Sequence, residues 1–225
     1  MKFGISIMAL IMASVCTASN SKTIDITDVQ LAGPGLYYII NDTVPGYGSE
    51  TIYDSPLVFT QSDGTKIYVN CDDLVHNIGT GPQNLSFTVG NIGSNFRGGN
   101  YTAQQIGSMA YLDKMMNSIV KNGGKYENVK LAAEQLASWE VSNPDVTFSG
   151  VDPTVQTLAS IYTIDAKNKW APNNQLTSLN GSQSQTFSTS VPEPKSWLMM
   201  LVGLGSVGAL LRFRNVQNSL KHKEI

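Results

Sequence analysis

Polar and apolar positions change their period midway along the chain. Near the start, Thr23-Ile24-Asp25-Ile26-Thr27 alternates in twos and Val29 continues it, the pattern of a half-buried strand. Residues 36–40 form a Tyr/Ile-rich run between Gly33-Pro34-Gly35 and Asn41-Asp42, a second strand. Residues 51–60 read as a strand interrupted at Asp54-Ser55-Pro56, where a proline forces a bend or an edge. The turn Ser62-Asp63-Gly64-Thr65 predicts a hairpin to residues 66–71, and residues 85–89 form another short strand. Beyond Gly98-Gly99 the period lengthens. Over residues 102–122, Ile106, Ala110, Met116, Ile119 and Val120 share a stripe that stops at Asn122-Gly123-Gly124. A second helix spans 126–141, with Val129, Ala132, Ala133, Leu136 and Ala137 inward, and ends at Asn143-Pro144. Val146 to Phe148 suggests a short strand. Asp152-Pro153 caps a third helix over residues 154–166. Residues 173–190 are Ser, Thr, Asn and Gln with few large apolar side chains, which predicts a flexible polar stalk. No internal repeat is visible.

Two further apolar runs lie at the ends. Residues 3–15 follow Met1-Lys2 and precede small residues, the layout of a signal peptide cut after Ala18. Ala13-Ser14-Val15 ahead of Cys16 fits a lipoprotein signal poorly. At the other end stand Val191-Pro192-Glu193-Pro194, then a nearly uncharged run over residues 197–211, then Arg212, Arg214, Lys221 and Lys223. As a helix that run is roughly 23 Å long, marginal for a hydrocarbon core of about 30 Å. Phe213 and the Lys195 stem extend it, and the basic side stays cytoplasmic.

This order of motif, span and basic end resembles the PEP-CTERM sorting signal of Gram-negative bacteria. In that family the membrane enzyme exosortase recognises Pro-Glu-Pro and cuts there. The resemblance implies recognition at Val191, Pro192, Glu193 and Pro194, with Arg212 and Arg214 as the basic stop. Here Phe213 breaks the usual arginine run. The implied life history is export by signal peptidase, a transient stay in the inner membrane, then release to the envelope or extracellular matrix. Exosortase systems accompany exopolysaccharide production, so biofilm association is implied as well.

Composition narrows the chemistry of the body. Residues 19–194 carry nine Lys/Arg against sixteen scattered Asp/Glu, which favours neither nucleic acid nor an anionic membrane surface. Once Cys16 leaves with the signal peptide, Cys71 is the only cysteine, unusual for an oxidising compartment. It is buried and inert, cross-links two chains, or is bonded to something other than sulfur. His76 is the only body histidine, so a multi-histidine zinc site is excluded and any catalytic pair must use His76. Asp72-Asp73 lacks the surrounding ligands of a calcium loop, so no metal or cofactor is expected.

Two short segments resemble the thioester domains of bacterial surface proteins: Cys71-Asp72-Asp73-Leu74-Val75-His76 at a strand end, and Gln135-Leu136-Ala137-Ser138-Trp139 on the second helix. The resemblance, spanning about residues 67–141, puts Cys71 and Gln135 on the bond-forming positions. Ala137 and Trp139 fall on the small and aromatic positions, and Asp73 and His76 are supporting residues. In that family the sulfur displaces ammonia from the glutamine side chain, leaving an acyl electrophile that surface amines or hydroxyls capture. Asn70 and Asp72 stand where aromatic and apolar residues are usual, and Ser138 where a bulky aliphatic is usual. Their polarity favours a wet pocket and a free thiol that merely packs beside Gln135.

The expected architecture is a single α+β domain, β-rich at its N-terminal side with a helical insertion over 102–141, plus a C-terminal transmembrane sorting helix. In segments, this gives a signal peptide over 1–18, an extracellular domain over 19–172 and the stalk over 173–190. The sorting signal follows over 191–214 and a basic polar tail over 215–225. The expected role is a non-enzymatic secreted matrix or envelope protein, adhesive if the thioester forms. The alternative is a secreted hydrolase using Cys71 and His76.

Overall fold

The computed structural model describes residues 23–33, 38–74, 78–92, 99–171, 176–181 and 186–189. Nine strands and three helices fall within them: β1 (Thr23–Leu31), β2 (Tyr38–Thr43), β3 (Thr51–Asp54), β4 (Leu57–Gln61), β5 (Lys66–Cys71), β6 (Gly81–Asn91), α1 (Ala103–Asn122), α2 (Glu127–Ser142), β7 (Thr147–Ser149), α3 (Pro153–Lys169), β8 (Thr177–Gly181) and β9 (Thr186–Thr189). Six strands close an antiparallel barrel in the order β1-β4-β5-β9-β8-β6. The others form a small sheet, β3-β2-β7. The fold is α+β, as expected, and the helical segment is an insertion between barrel strands β6 and β8 that extends through α3.

The barrel closes over an apolar interior. Phe59, Phe87 and Phe187 meet at its centre, with ring centroids 5.2, 5.0 and 5.7 Å apart. Ile24, Ile26, Val29, Val69 and Leu179 surround them. The inward positions of β1 switch from even to odd because a bulge lies between Ile26 and Asp28, absorbing one residue in its pairing with both neighbours. Strand β4 is apolar at Leu57, Val58 and Phe59 because both of its faces are covered. Leu57 and Phe59 enter the barrel, while Val58 packs outside with Met116, Ile119 and Leu131 of the helices.

The interruption at Asp54-Ser55-Pro56 separates two sheets: β3 pairs with β2, while β4 pairs with β1 and β5. The hairpin from β4 to β5 forms as expected, with Gly64 at φ 82° and Asp63 accepting from the Thr65 amide.

The polar stretch expected to be a stalk contains two barrel strands. Thr177–Gly181 pairs with β6, Thr186–Thr189 pairs with β5, and the two pair with each other. Leu176, Leu179 and Phe187 supply enough buried apolar surface to anchor them. The domain boundary moves accordingly, from residue 172 to a division between Ser190 and Val191.

The helices start and stop where their caps are. Thr102 and Gln105 form a reciprocal capping box on α1, and the Gly123 amide closes its last turn. Asp152 caps α3 ahead of Pro153. Alanines on α2 and α3 allow close packing, and polar pins fix the angles. Glu140 accepts from Gln156 at 3.3 Å and Thr163 at 2.8 Å, and Ser108 donates to the Ala166 carbonyl at 3.2 Å. Gly107 lies against Trp170, where a Cβ would come within 2.7 Å of the indole. Among the described residues no helix is long and apolar enough to cross a membrane. The signal peptide, His76, and the segment over 191–225 with its Pro-Glu-Pro motif and expected sorting helix lie outside the described residues.

Candidate functional site

Cys71 is the last residue of β5, and Gln135 lies in the third turn of α2. The two are 64 residues apart, yet the glutamine carboxamide sits directly on the cysteine backbone. Gln135 Oε1 accepts from the Cys71 amide at 3.2 Å, and Gln135 Nε2 donates to the Cys71 carbonyl at 3.1 Å. The backbone amide can only donate and the carbonyl only accept, so this pair of bonds fixes which way the carboxamide faces. Trp139, one turn further along α2, donates from Nε1 to the same carbonyl at 2.6 Å. It is held by stacking on Phe148, with centroids 5.8 Å apart. The Cys71 sulfur donates to the Asp73 carbonyl at 3.1 Å.

The helix meets the strand through consecutive pairs. As Gln135 engages Cys71, Glu134 accepts from the Asn70 carboxamide at 3.0 Å. Asp72 is occupied on its other side, accepting from Ser188 of β9 at 3.0 Å. Asn70 and Asp72 thus each make one hydrogen bond within the protein, while Asn70 Oδ1, Asp72 Oδ2 and Ser138 Oγ are buried without a partner among the described residues. Ser138 is fully buried as well.

A cavity of about 380 Å³ opens on Cys71. Thr51, Tyr53, Ser55, Asp73, Thr80 and Trp139 are among its walls; Asn70, Asp72 and Ser138 are not. Ala137 is buried in the helical core. Of the residues expected at the site, the structure brings together Cys71, Gln135, Asp73 and Trp139, and it leaves Ala137 as packing. The cavity walls from β3 were not anticipated from sequence, because their approach depends on the sheet switch at Pro56.

Cys71 is a free cysteine. Burial pushes its thiol up to about 12, and the nearby Asp72 and Asp73 carboxyls add to the shift. At neutral pH the sulfur carries its proton. The carboxamide is thus held on the Cys71 backbone with its oxygen polarised by the Cys71 amide, while the sulfur is bonded to the Asp73 carbonyl. Among the described residues no group of three or more His, Cys, Asp or Glu side chains is placed to hold a metal ion.

Comparison with known proteins matches residues 190–215 to the family model of the PEP-CTERM protein-sorting motif. No curated protein and no solved structure matches the chain. The matched motif implies a secreted protein that transits the membrane and is processed by exosortase.

Proposed function

We propose that the exported domain is a non-enzymatic envelope or matrix module in which Cys71 and Gln135 close an internal thioester for covalent attachment. The observation that carries this reading is the Gln135 carboxamide bridging both backbone groups of Cys71. In the closing step the Cys71 sulfur bonds to Gln135 Cδ and the Cδ–Nε2 bond breaks. The thiol proton passes to the departing nitrogen, and ammonia leaves. The Cys71 amide, already bonded to Oε1, stabilises the negative charge that develops on that oxygen. The Cys71 carbonyl holds Nε2, and the Trp139 indole fixes that carbonyl.

The cavity opens on the Cys71 side of the bond; an outside nucleophile entering there must reach Gln135 Cδ, which is buried beside it, and displace the Cys71 sulfur. Tyr53 lines it and stands largely exposed, as does its cross-strand partner Ile39, so the rim offers an apolar contact to an incoming surface. With the exosortase signal, this supports a role in attachment to exopolysaccharide or to a neighbouring surface in a biofilm.

The test is capture by methylamine. The exported domain, incubated with isotopically labelled methylamine and digested, should carry the label on Gln135 and release the Cys71 thiol in equal amount. Label that never reaches Gln135 in the wild type, or that reaches it equally in Cys71→Ala, would overturn the proposal.

A further inference from the structure

Behind the Cys71–Gln135 pair lies a group of buried acids that the thioester chemistry does not use. Glu134, Asp54, Asp72 and Asp113 come from four different elements or their ends, and each is at most 1% exposed. Glu134 makes one hydrogen bond across the seam, from Asn70 Nδ2 to its Oε1. That bond joins residues 70 and 134, next to the bonds joining 71 and 135. Because a helix turns about 100° per residue, Glu134 and Gln135 grip the strand at different places. A change at Glu134 therefore alters the height and rotation of the turn that presents Gln135.

We propose that Glu134 is a positioning residue for the Cys71–Gln135 pair, clamping α2 to β5 through Asn70 as a neutral hydrogen-bonding group that glutamine can replace. This rests on the thioester reading for its consequence, but the clamp itself has an independent readout in the accessibility of the Cys71 thiol. Burial raises the Glu134 carboxyl well above the usual carboxylate range. The charged groups acting on it are themselves acids: Asp113 from α1, Asp54 from β3 and Asp72 beyond β5, with the Asn70 bond opposing them. From α3, Tyr162 faces it, its hydroxyl raised by burial and by Glu134. A carboxylate at that position would be stripped of water among other buried acids, which costs more than one hydrogen bond returns. The clamp is consequently closed while Glu134 keeps its proton and loosens as pH rises.

The test compares Glu134→Gln and Glu134→Ala with the wild type in two assays: labelled methylamine incorporation, and the rate at which a maleimide labels Cys71 in molecules opened by methylamine or never closed. Glu134→Gln should match the wild type at neutral pH in both. Glu134→Ala should lower incorporation and speed thiol labelling about tenfold, the effect of losing roughly one hydrogen bond. On raising the pH, labelling should accelerate more steeply in the wild type than in Glu134→Gln, which carries the same Cys71 thiol. Should Glu134→Ala fail to fold, the neutral-pH match and the divergent pH profiles of the other two proteins decide alone. The clamp is refuted if Glu134→Gln labels as fast as Glu134→Ala, or if its labelling rises with pH as steeply as the wild type's. Stabilisation of the wild type by calcium or sodium that disappears in Glu134→Gln would also overturn it, by assigning the acids to a cation. Absence of methylamine incorporation in every protein, with the labelling pattern intact, would sink the thioester and leave the clamp standing.

Discussion

The proposed bond between Cys71 and Gln135 should make a large and measurable contribution to stability. It links residues 64 apart, so it restricts the unfolded chain as a disulfide of the same span does. The loop-entropy relation gives about 4 kcal/mol at 25 °C for a loop of that length. For a domain of this size each kcal/mol moves the melting temperature by roughly 2–4 °C, so opening the bond should lower it by roughly 8–16 °C. Methylamine provides the perturbation with no change of sequence, and calorimetry before and after treatment provides the assay. The native contacts of Gln135 survive in large part, because N-methylation leaves its oxygen free to accept from the Cys71 amide. Cys71→Ala should melt near the treated wild type and should not respond to methylamine. If treated and untreated wild type melt together, the domain holds no cross-link and the reasoning from seam geometry to bond is wrong.

Trp139→Phe removes the indole donor to the Cys71 carbonyl while keeping a ring on Phe148. It should cost about 1–3 kcal/mol by denaturant unfolding and slow methylamine incorporation. Phe187→Ala empties the centre of the barrel and should cost about 3–5 kcal/mol, although it lies in a stretch that looks like a linker. Asp72 has its pKa raised by burial, so its contribution is full below the ordinary carboxylate range near pH 4 and is lost as pH rises toward the folded value. Asp72→Asn should flatten the loss of stability as pH rises above the ordinary carboxylate range, read by urea midpoints at each pH. Glu193→Ala, or removal of exosortase from the host, should leave residues 191–225 attached and the protein in the inner membrane, read by mass and fractionation.

The helices were legible because their ends carry local chemistry that nothing distant overrides. Thr102 with Gln105, Asp152 with Pro153, and the glycines after Asn122 act within one turn of where they stand. Strands β8 and β9 were not legible. Ser178 alternates with Leu179 and Ser188 with Phe187, the two large apolar side chains that tie the strands to the barrel interior. So short a strand gains its stability from neighbours 86 or more residues away in sequence, which no local pattern records. The apposition of Cys71 and Gln135 was foreshadowed by an unpaired exported cysteine and the Gln-x-Ala-x-Trp spacing. The role of Trp139 is visible in that spacing too: at i+4 from Gln135 it shares a helix face and reaches the same carbonyl. Glu134 gave no such signal, since a helix glutamate ordinarily faces water. The side chains of Asn70 and Asp72 could not be placed from sequence: alternation along the strand turns them away from Cys71, toward Glu134 and Ser188.

The central claim is that the Cys71–Gln135 seam forms a bond, and the intact mass of the natively exported, unreduced domain tests it most directly. The account predicts a mass about 17 units below that of the processed sequence, one ammonia lost, with no deficit in Cys71→Ala or Gln135→Ala. A wild-type mass equal to the full sequence, with a thiol that labels only after unfolding, would contradict it.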